Sequence, residues 1–257
     1  MIPVRVDATE RVSQTMPTNS SPNFPHLTAS CSNCGLRELC LPLGLSADKL
    51  KRIDQIVCAR RKVGRGEGLY RAGDAFSAIY AVCSGSFKNK LVLHDGREQV
   101  MGFHISGDIL GIDGIGEERH GCDAVALEDS DVCVIPFARV EEISREMRGL
   151  QHQFHQLMSR EIVRDYGVML LLNATAEVRV AVFLLDLCRR FAARGYSASE
   201  FHLRMTREEI GSFLGLTLET VSRHLSRFHE TKLIAVLQKH IHILDAPGLK
   251  VIAGAMN

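Results

Sequence analysis

Between about Val63 and Phe137 the chain alternates short apolar and polar positions, as in "AIYAVCSGSFKNKLVL" and "DVCVIPF", and twelve of its 21 glycines fall between Gly64 and Gly121. Strands of about four to eight residues, cut by Gly and Asp-Gly turns, predict an antiparallel all-β sandwich or barrel. From Val140 to Leu172 the period changes: Leu150, Phe154, Met158, Ile162, Met169 and Leu172 recur at helical steps with no proline between them. That pattern predicts one long amphipathic helix. A small barrel cannot cover so long an apolar face, so part of it is expected to meet a second copy. A further helix, "AEVRVAVFLLDLCRRFAARG", ends at Gly195 behind arginine-rich last turns, which suit the negative end of a helix dipole and a glycine stop. Ahead of all these, four of the seven prolines lie in the first 25 residues among Ser, Thr and Asn. Such a composition predicts a flexible tail to about Ser30.

The stretch "MTREEIGSFLGLTLETVSRHLSRFHETKLIAVLQKHIHIL" predicts two short helices and a hairpin. Thr206 followed by Glu209 makes a capping-box start. Ile210, Gly211 and Leu214 follow, Gly215 breaks the helix, and Val221 and Leu225 turn inward from a second helix beginning near Leu218. A small residue where two helices touch and a glycine at the turn are what helix-turn-helix packing demands. Glu219, Ser222 and Arg223 then share one outward face. Arginine can donate two bonds to guanine, glutamate can accept from cytosine, and serine suits either, so this face can read double-stranded DNA. Arg204, Arg207, Arg227, Lys232 and Lys239 are candidate phosphate contacts, diluted by Glu208 and Glu230.

Length and composition narrow the class. A chain of 257 residues suffices for two domains at about 100–200 residues each, and its longest apolar runs, such as "VAVFLL", fall far short of the ~20 residues of a membrane span. The first residues carry no apolar signal region, which points to the reducing cytoplasm, where eight cysteines are not a disulfide framework. A net charge of +1 neither supports nor excludes nucleic acid, because local charge decides.

Three of the eight cysteines lie in "CSNCGLRELC": Cys31, Cys34 and Cys40, a C-x2-C-x5-C array on one short loop. Their soft thiolates suit zinc or an iron–sulfur cluster, with a fourth ligand from elsewhere. A thioredoxin-like dithiol is disfavoured, since that motif opens a helix after a strand and here follows a Pro/Ser tail. Composition does not choose a fourth ligand among Cys58, Cys83, Cys122, Cys133 and Cys188. Cys58, Cys83 and Cys188 sit among apolar neighbours and are expected to be small buried hydrophobes.

The segment "TREEIGSFLGLTLETVSRHLSRF" resembles the recognition region of the CRP/FNR family of bacterial transcription regulators. The likeness continues through "YRAGDAFSAIYAVCSGSFK", "GFHISGDILGIDGIG", "VCVIPF" and "LMSREIVRDYGVMLLL", covering roughly residues 31–245 in order. The cysteine triplet resembles that of the FNR branch, the oxygen-responsive iron–sulfur regulators. This resemblance implies an α+β chain that is no enzyme. Its expected parts are a tail over 1–30, a cysteine loop and antiparallel β jelly-roll sensory domain over 31–140, a dimerisation helix over 141–173, and a winged helix-turn-helix domain over 174–257. It further implies a homodimer, a [4Fe–4S] cluster on Cys31, Cys34, Cys40 and, through the "VCVIPF" strand, Cys133, with Cys122 as runner-up. Glu219, Ser222 and Arg223 would read a palindrome of TTGAT-like half-sites, while His224 departs from the apolar residue usual after the arginine.

Cyclic-nucleotide control in this family needs an Arg-Ser/Thr pair, and "EERHGCDAV" has Arg119 followed by His120 and Gly121. A cyclic nucleotide is therefore disfavoured, and Arg119 and His120 are expected as solvated loop residues. Along the helical seam of Met158, Ile162, Asp165 and Met169, Asp165 either leans to solvent, which is the plainer reading of the residues alone, or meets its own copy near a two-fold axis, where two carboxylates would oppose association. The FNR branch carries an acidic residue at the matching place, which implies a deliberately weak dimer. Oxygen, or nitric oxide, is the expected signal, and the "LVLHDGREQ" hairpin is a candidate contact for RNA polymerase, with Arg97 at its tip.

Overall fold

A computed structural model describes residues 34, 36, 40, 54, 59–93 and 95–254. Cys31, Cys58 and the tail over 1–30 lie outside the described residues. The sensory half holds strands β1 (Ala59–Val63), β2 (Gly68–Tyr70), β3 (Ala78–Ser84), β4 (Ser86–Val92), β5 (Glu98–Ile105), β6 (Ile109–Leu110), β7 (Asp123–Ala126) and β8 (Ser130–Pro136). They form two antiparallel four-stranded sheets, ordered β1-β8-β3-β6 and β2-β7-β4-β5, which face each other as a jelly roll.

Alternation along each strand separates two apolar layers. Val82, Phe87, Leu110, Ala124 and Val132 fill the interior of the roll. Their neighbours in sequence point the other way: Ile79, Ala81, Cys133 and Ile135 form an outer layer on the first sheet, covered by Val140, Met147, Leu150 and Leu157. Those covering residues belong to or flank the helices α1 (Phe137–Glu146) and α2 (Arg148–Leu171).

The helical period therefore does not run unbroken from Val140 to Leu172. Met147, at φ −120° and ψ 87°, ends one helix and starts the next. Its side chain is buried in the outer layer, and this burial in place of a helical turn sets the break. Beyond the roll α2 stands largely uncovered, with Ile162 48% and Met169 63% exposed, alongside an adjoining stripe of Val163, Tyr166 and Leu170. None of the described helices is long and apolar enough to cross a membrane.

The C-terminal domain comprises α3 (Ala176–Ala192), β9 (Glu200–His202), α4 (Arg207–Leu214), α5 (Leu218–Glu230), β10 (Ile234–Leu237), β11 (His240–Ile243) and α6 (Ala246–Ala253). The sheet order β10-β11-β9 supplies the wing. Buried Val180, Leu184, Leu187, Ile210, Val221 and Phe228 share its core. Arg190 of α3 and Arg194 just beyond its end both reach Asp108 in the roll, Arg190 at 2.6 Å, and join the two domains. Burial opposes ionisation of Asp108, but these two guanidiniums outweigh it and hold the carboxyl below the usual carboxylate range.

Candidate functional site

In the helix-turn-helix, the Thr206 hydroxyl accepts from the Glu209 amide at 3.1 Å and the Glu209 carboxylate accepts from the Thr206 amide at 2.6 Å. Both halves of the capping box are present. Glu209 also pairs with Lys88 of β4 at 2.7 Å. Gly215, at φ 64° and ψ 40°, takes the left-handed conformation that lets α4 stop and α5 start. Gly211 is the tight contact: a Cβ there would lie 2.7 Å from the Leu216 carbonyl oxygen. Thr217 caps α5 by accepting from the Thr220 amide at 3.2 Å.

With Val221, Leu225 and Phe228 buried, the opposite face of α5 carries Glu219 and Arg223 exposed and Ser222 half-buried. Hydrogen bonds from its own amide and from Thr217 hold the Glu219 carboxyl below its ordinary range, so it is an ionised acceptor at neutral pH. His224 lies half-buried against the ring of Phe228, and burial lowers its pKa. Of the expected phosphate contacts, Arg204 pairs with Glu128 at 3.0 Å and Arg227 with Glu177 at 3.7 Å. Those two are partly committed within the chain.

One functional residue escaped sequence reasoning. Arg179 donates to the carbonyls of Ala174 at 3.0 Å, Leu214 at 2.9 Å and Leu172 at 2.5 Å. It thereby ties the end of the long helix to the helix-turn-helix turn. An arginine satisfying orphan carbonyls at helix ends is a recognisable device, but a partner 35 residues away is visible only after folding.

The cysteines divide between the two layers of the roll. Cys133, 8% exposed, sits opposite Ala81 of β3 and Arg60 of β1 on the outer face. Half-buried Cys40 packs on the same layer, its amide donating to the Leu36 carbonyl at 3.1 Å. Cys34 is half-buried, and no three metal-ligating side chains converge among the described residues. Cys83 is not simply a buried hydrophobe: it is half-buried and its sulfur stands 2.9 Å from that of Cys133. The hydrogen bond with Cys133 and then burial push its thiol above the ordinary range.

Cys122 faces the other way, into the layer inside the roll, and donates to the Asp113 carboxylate at 3.5 Å. Burial and the Asp113 charge push its thiol up to about 12. His120 corrects the solvated-loop expectation. It is 3% exposed and stacks on Tyr70 at 3.7 Å between ring centroids, 3.6 Å from Asp113. The stacked face of Tyr70 and a T-shaped contact with Phe76 bury its ring. Arg119 is exposed as expected and donates outward to the Gly73 carbonyl at 2.7 Å.

Half-buried Met158 and exposed Ile162, Asp165 and Met169 line one wall of a cleft of about 780 Å³ between α2 and the roll. Inside it Glu161 pairs with Arg164 at 2.5 Å, and burial raises the Glu161 pKa. His104, fully buried under this wall, is held neutral with its pKa lowered to about 3 by burial and by Arg164.

Comparison with known proteins gives this geometry a family. Residues 178–252 match the Crp-like helix-turn-helix domain, and residues 60–146 match the cyclic nucleotide-binding domain. The transcriptional regulatory protein btr of Bordetella pertussis is 47% identical over 227 residues, covering 88% of this chain and 94% of that protein. The chain belongs to the CRP/FNR family of transcription regulators. The fumarate and nitrate reduction regulatory protein of Salmonella typhimurium is 42% identical over 225 residues, 87% of this chain and 90% of that one. Among solved structures, FixK2 from Bradyrhizobium japonicum superposes with a TM-score of 0.72 at 29% identity, over 77% of this chain and 98% of that one. This regulator is a homodimeric DNA-binding protein, not an enzyme, closely related to the FNR branch. That branch does not require a cyclic nucleotide.

Proposed function

We propose that this regulator senses oxygen through a [4Fe–4S] cluster held by Cys31, Cys34, Cys40 and Cys133, and that the cluster controls dimerisation and binding to a palindromic TTGAT-like site. The carrying observation is that Cys40 and Cys133, far apart in sequence, pack into one apolar layer on the outer face of the roll. Soft thiolates in a water-poor layer fit an iron–sulfur group. When bound, the group supplies an oxygen-labile link between the loop of Cys31, Cys34 and Cys40 and the strand of Cys133.

The same layer holds Met147, Leu150 and Leu157 at the base of the dimerisation helix, and Phe137 of α1 meets Phe154 of α2 at 5.9 Å between centroids. A shift of the loop on Cys133 is thus felt directly by the seating of α2. Along the seam of Met158, Ile162, Asp165 and Met169, paired Asp165 carboxylates keep association marginal. Seating the helix tips that balance, and only the dimer places Glu219, Ser222 and Arg223 on both half-sites. Val92 and Leu93 are exposed beside Arg97 at the β4–β5 tip, and we assign this surface to RNA polymerase.

A mobility-shift titration on a duplex with two TTGAT half-sites tests the reading. Anaerobically prepared protein should bind about a hundredfold more tightly than the same protein after exposure to air, a difference of roughly 3 kcal/mol. Equal affinity in both states would contradict it.

A further inference from the structure

A second sulfur lies close to the proposed fourth ligand. Between β3 and β8, Val82 pairs with Val132 and Ser84 with Asp131, so two consecutive residues of β8 oppose three of β3. Cys83 is the extra residue of this β-bulge, and bulges re-aim side chains. Without it, Cys83 would sit diagonally from Cys133, about 7–8 Å away between backbones. With it, the two sulfurs lie 2.9 Å apart on one sheet face. A disulfide needs about 2.05 Å, so closure brings the two sulfurs less than an ångström closer.

We propose that Cys83 and Cys133 form a reversible intrachain disulfide whenever Cys133 is not holding a cluster. That the disulfide blocks cluster assembly rests on the reading above; the disulfide itself does not. Half-buried Cys83 is the more accessible sulfur of the pair. Hydrogen peroxide reacts slowly with the small thiolate fraction that the raised thiol leaves; it oxidises Cys83 to a sulfenic acid, and its second oxygen takes up the thiol's proton and leaves as one water. The Cys133 sulfur then attacks the Cys83 sulfur, the S–S bond forms as the S–O bond breaks, and hydroxide departs with the thiol proton as a second water. Two thiols and one peroxide give one disulfide and two waters. A thiol reductant returns both electrons, and Cys133 is spared irreversible oxidation meanwhile.

The test is peptide mapping under non-reducing conditions on the full-length chain, freed of metal, before and after hydrogen peroxide. A Cys83–Cys133 cross-link that dithiothreitol removes, and that Cys83→Ser cannot form, is expected. Absence of that cross-link in the oxidised chain, or bridging of Cys133 only to Cys31, Cys34 or Cys40, would overturn the proposal. Anaerobic protein loaded with iron and sulfide, treated identically, separates the two ideas. Protection there shows that the cluster and the disulfide compete for Cys133, whereas an unchanged yield of cross-link upholds the disulfide and removes Cys133 from the ligand set. Cys83→Ser should still take up iron and sulfide as the unaltered chain does.

Discussion

The reading domain carries its capping box, both structural glycines and its outward side chains in one run from Thr206 to Arg223. The sensory roll instead brings Cys40 and Cys133 together from distant segments, through strand register and the covering helices. A local motif of the first kind loses function in steps as side chains are removed. A site of the second kind depends on register, since sliding β8 by one residue would turn Cys133 into the roll and Val132 out. Two strands consecutive in the chain but lying in opposite sheets carry the difference. Cys122, on β7's approach, points inward to Asp113, while Cys133 points outward.

The largest effect that could break this contrast comes from the two thiols. Cys133→Ala should abolish iron retention under anaerobic conditions, and Cys122→Ala should leave it nearly complete, both read by iron assay. The reverse pattern would move the site inside the roll. Next in size is the seam. Asp165→Ala removes the opposed carboxylates and should strengthen association in air by more than a hundredfold, about 3 kcal/mol. Sedimentation showing monomers at micromolar concentration would remove Asp165 from the control of dimerisation. Smaller and graded is the expected loss at the reading face. Arg223→Ala should cost about 1–3 kcal/mol per half-site on the specific duplex, leaving affinity for unrelated duplexes almost unchanged. An equal loss on both would recast Arg223 as a phosphate contact.

What could be read beforehand follows the same division. Gly211 and Gly215 were legible because a helix-turn-helix demands a small residue and a turn glycine a few positions apart. The strands of the roll were legible from alternation, which is a local property. Met147 was not, because its neighbours look helical and only its burial in the outer layer breaks the helix. His120 looked like a loop residue until Tyr70, 50 positions earlier, was folded against it. The three carbonyls held by Arg179 and the bulge that turns Cys83 toward Cys133 are likewise products of tertiary pairing. Residue type alone predicted a thiol, not its neighbour.

The central claim is that Cys133 and the loop cysteines hold an iron–sulfur cluster. Absorbance of the unaltered protein, purified without oxygen and assayed for iron and acid-labile sulfide, tests it most directly. A broad visible band with about four irons and four sulfides per chain, bleaching on admission of air, is the predicted result. Colourless protein without sulfide, carrying either zinc or no metal, would contradict it.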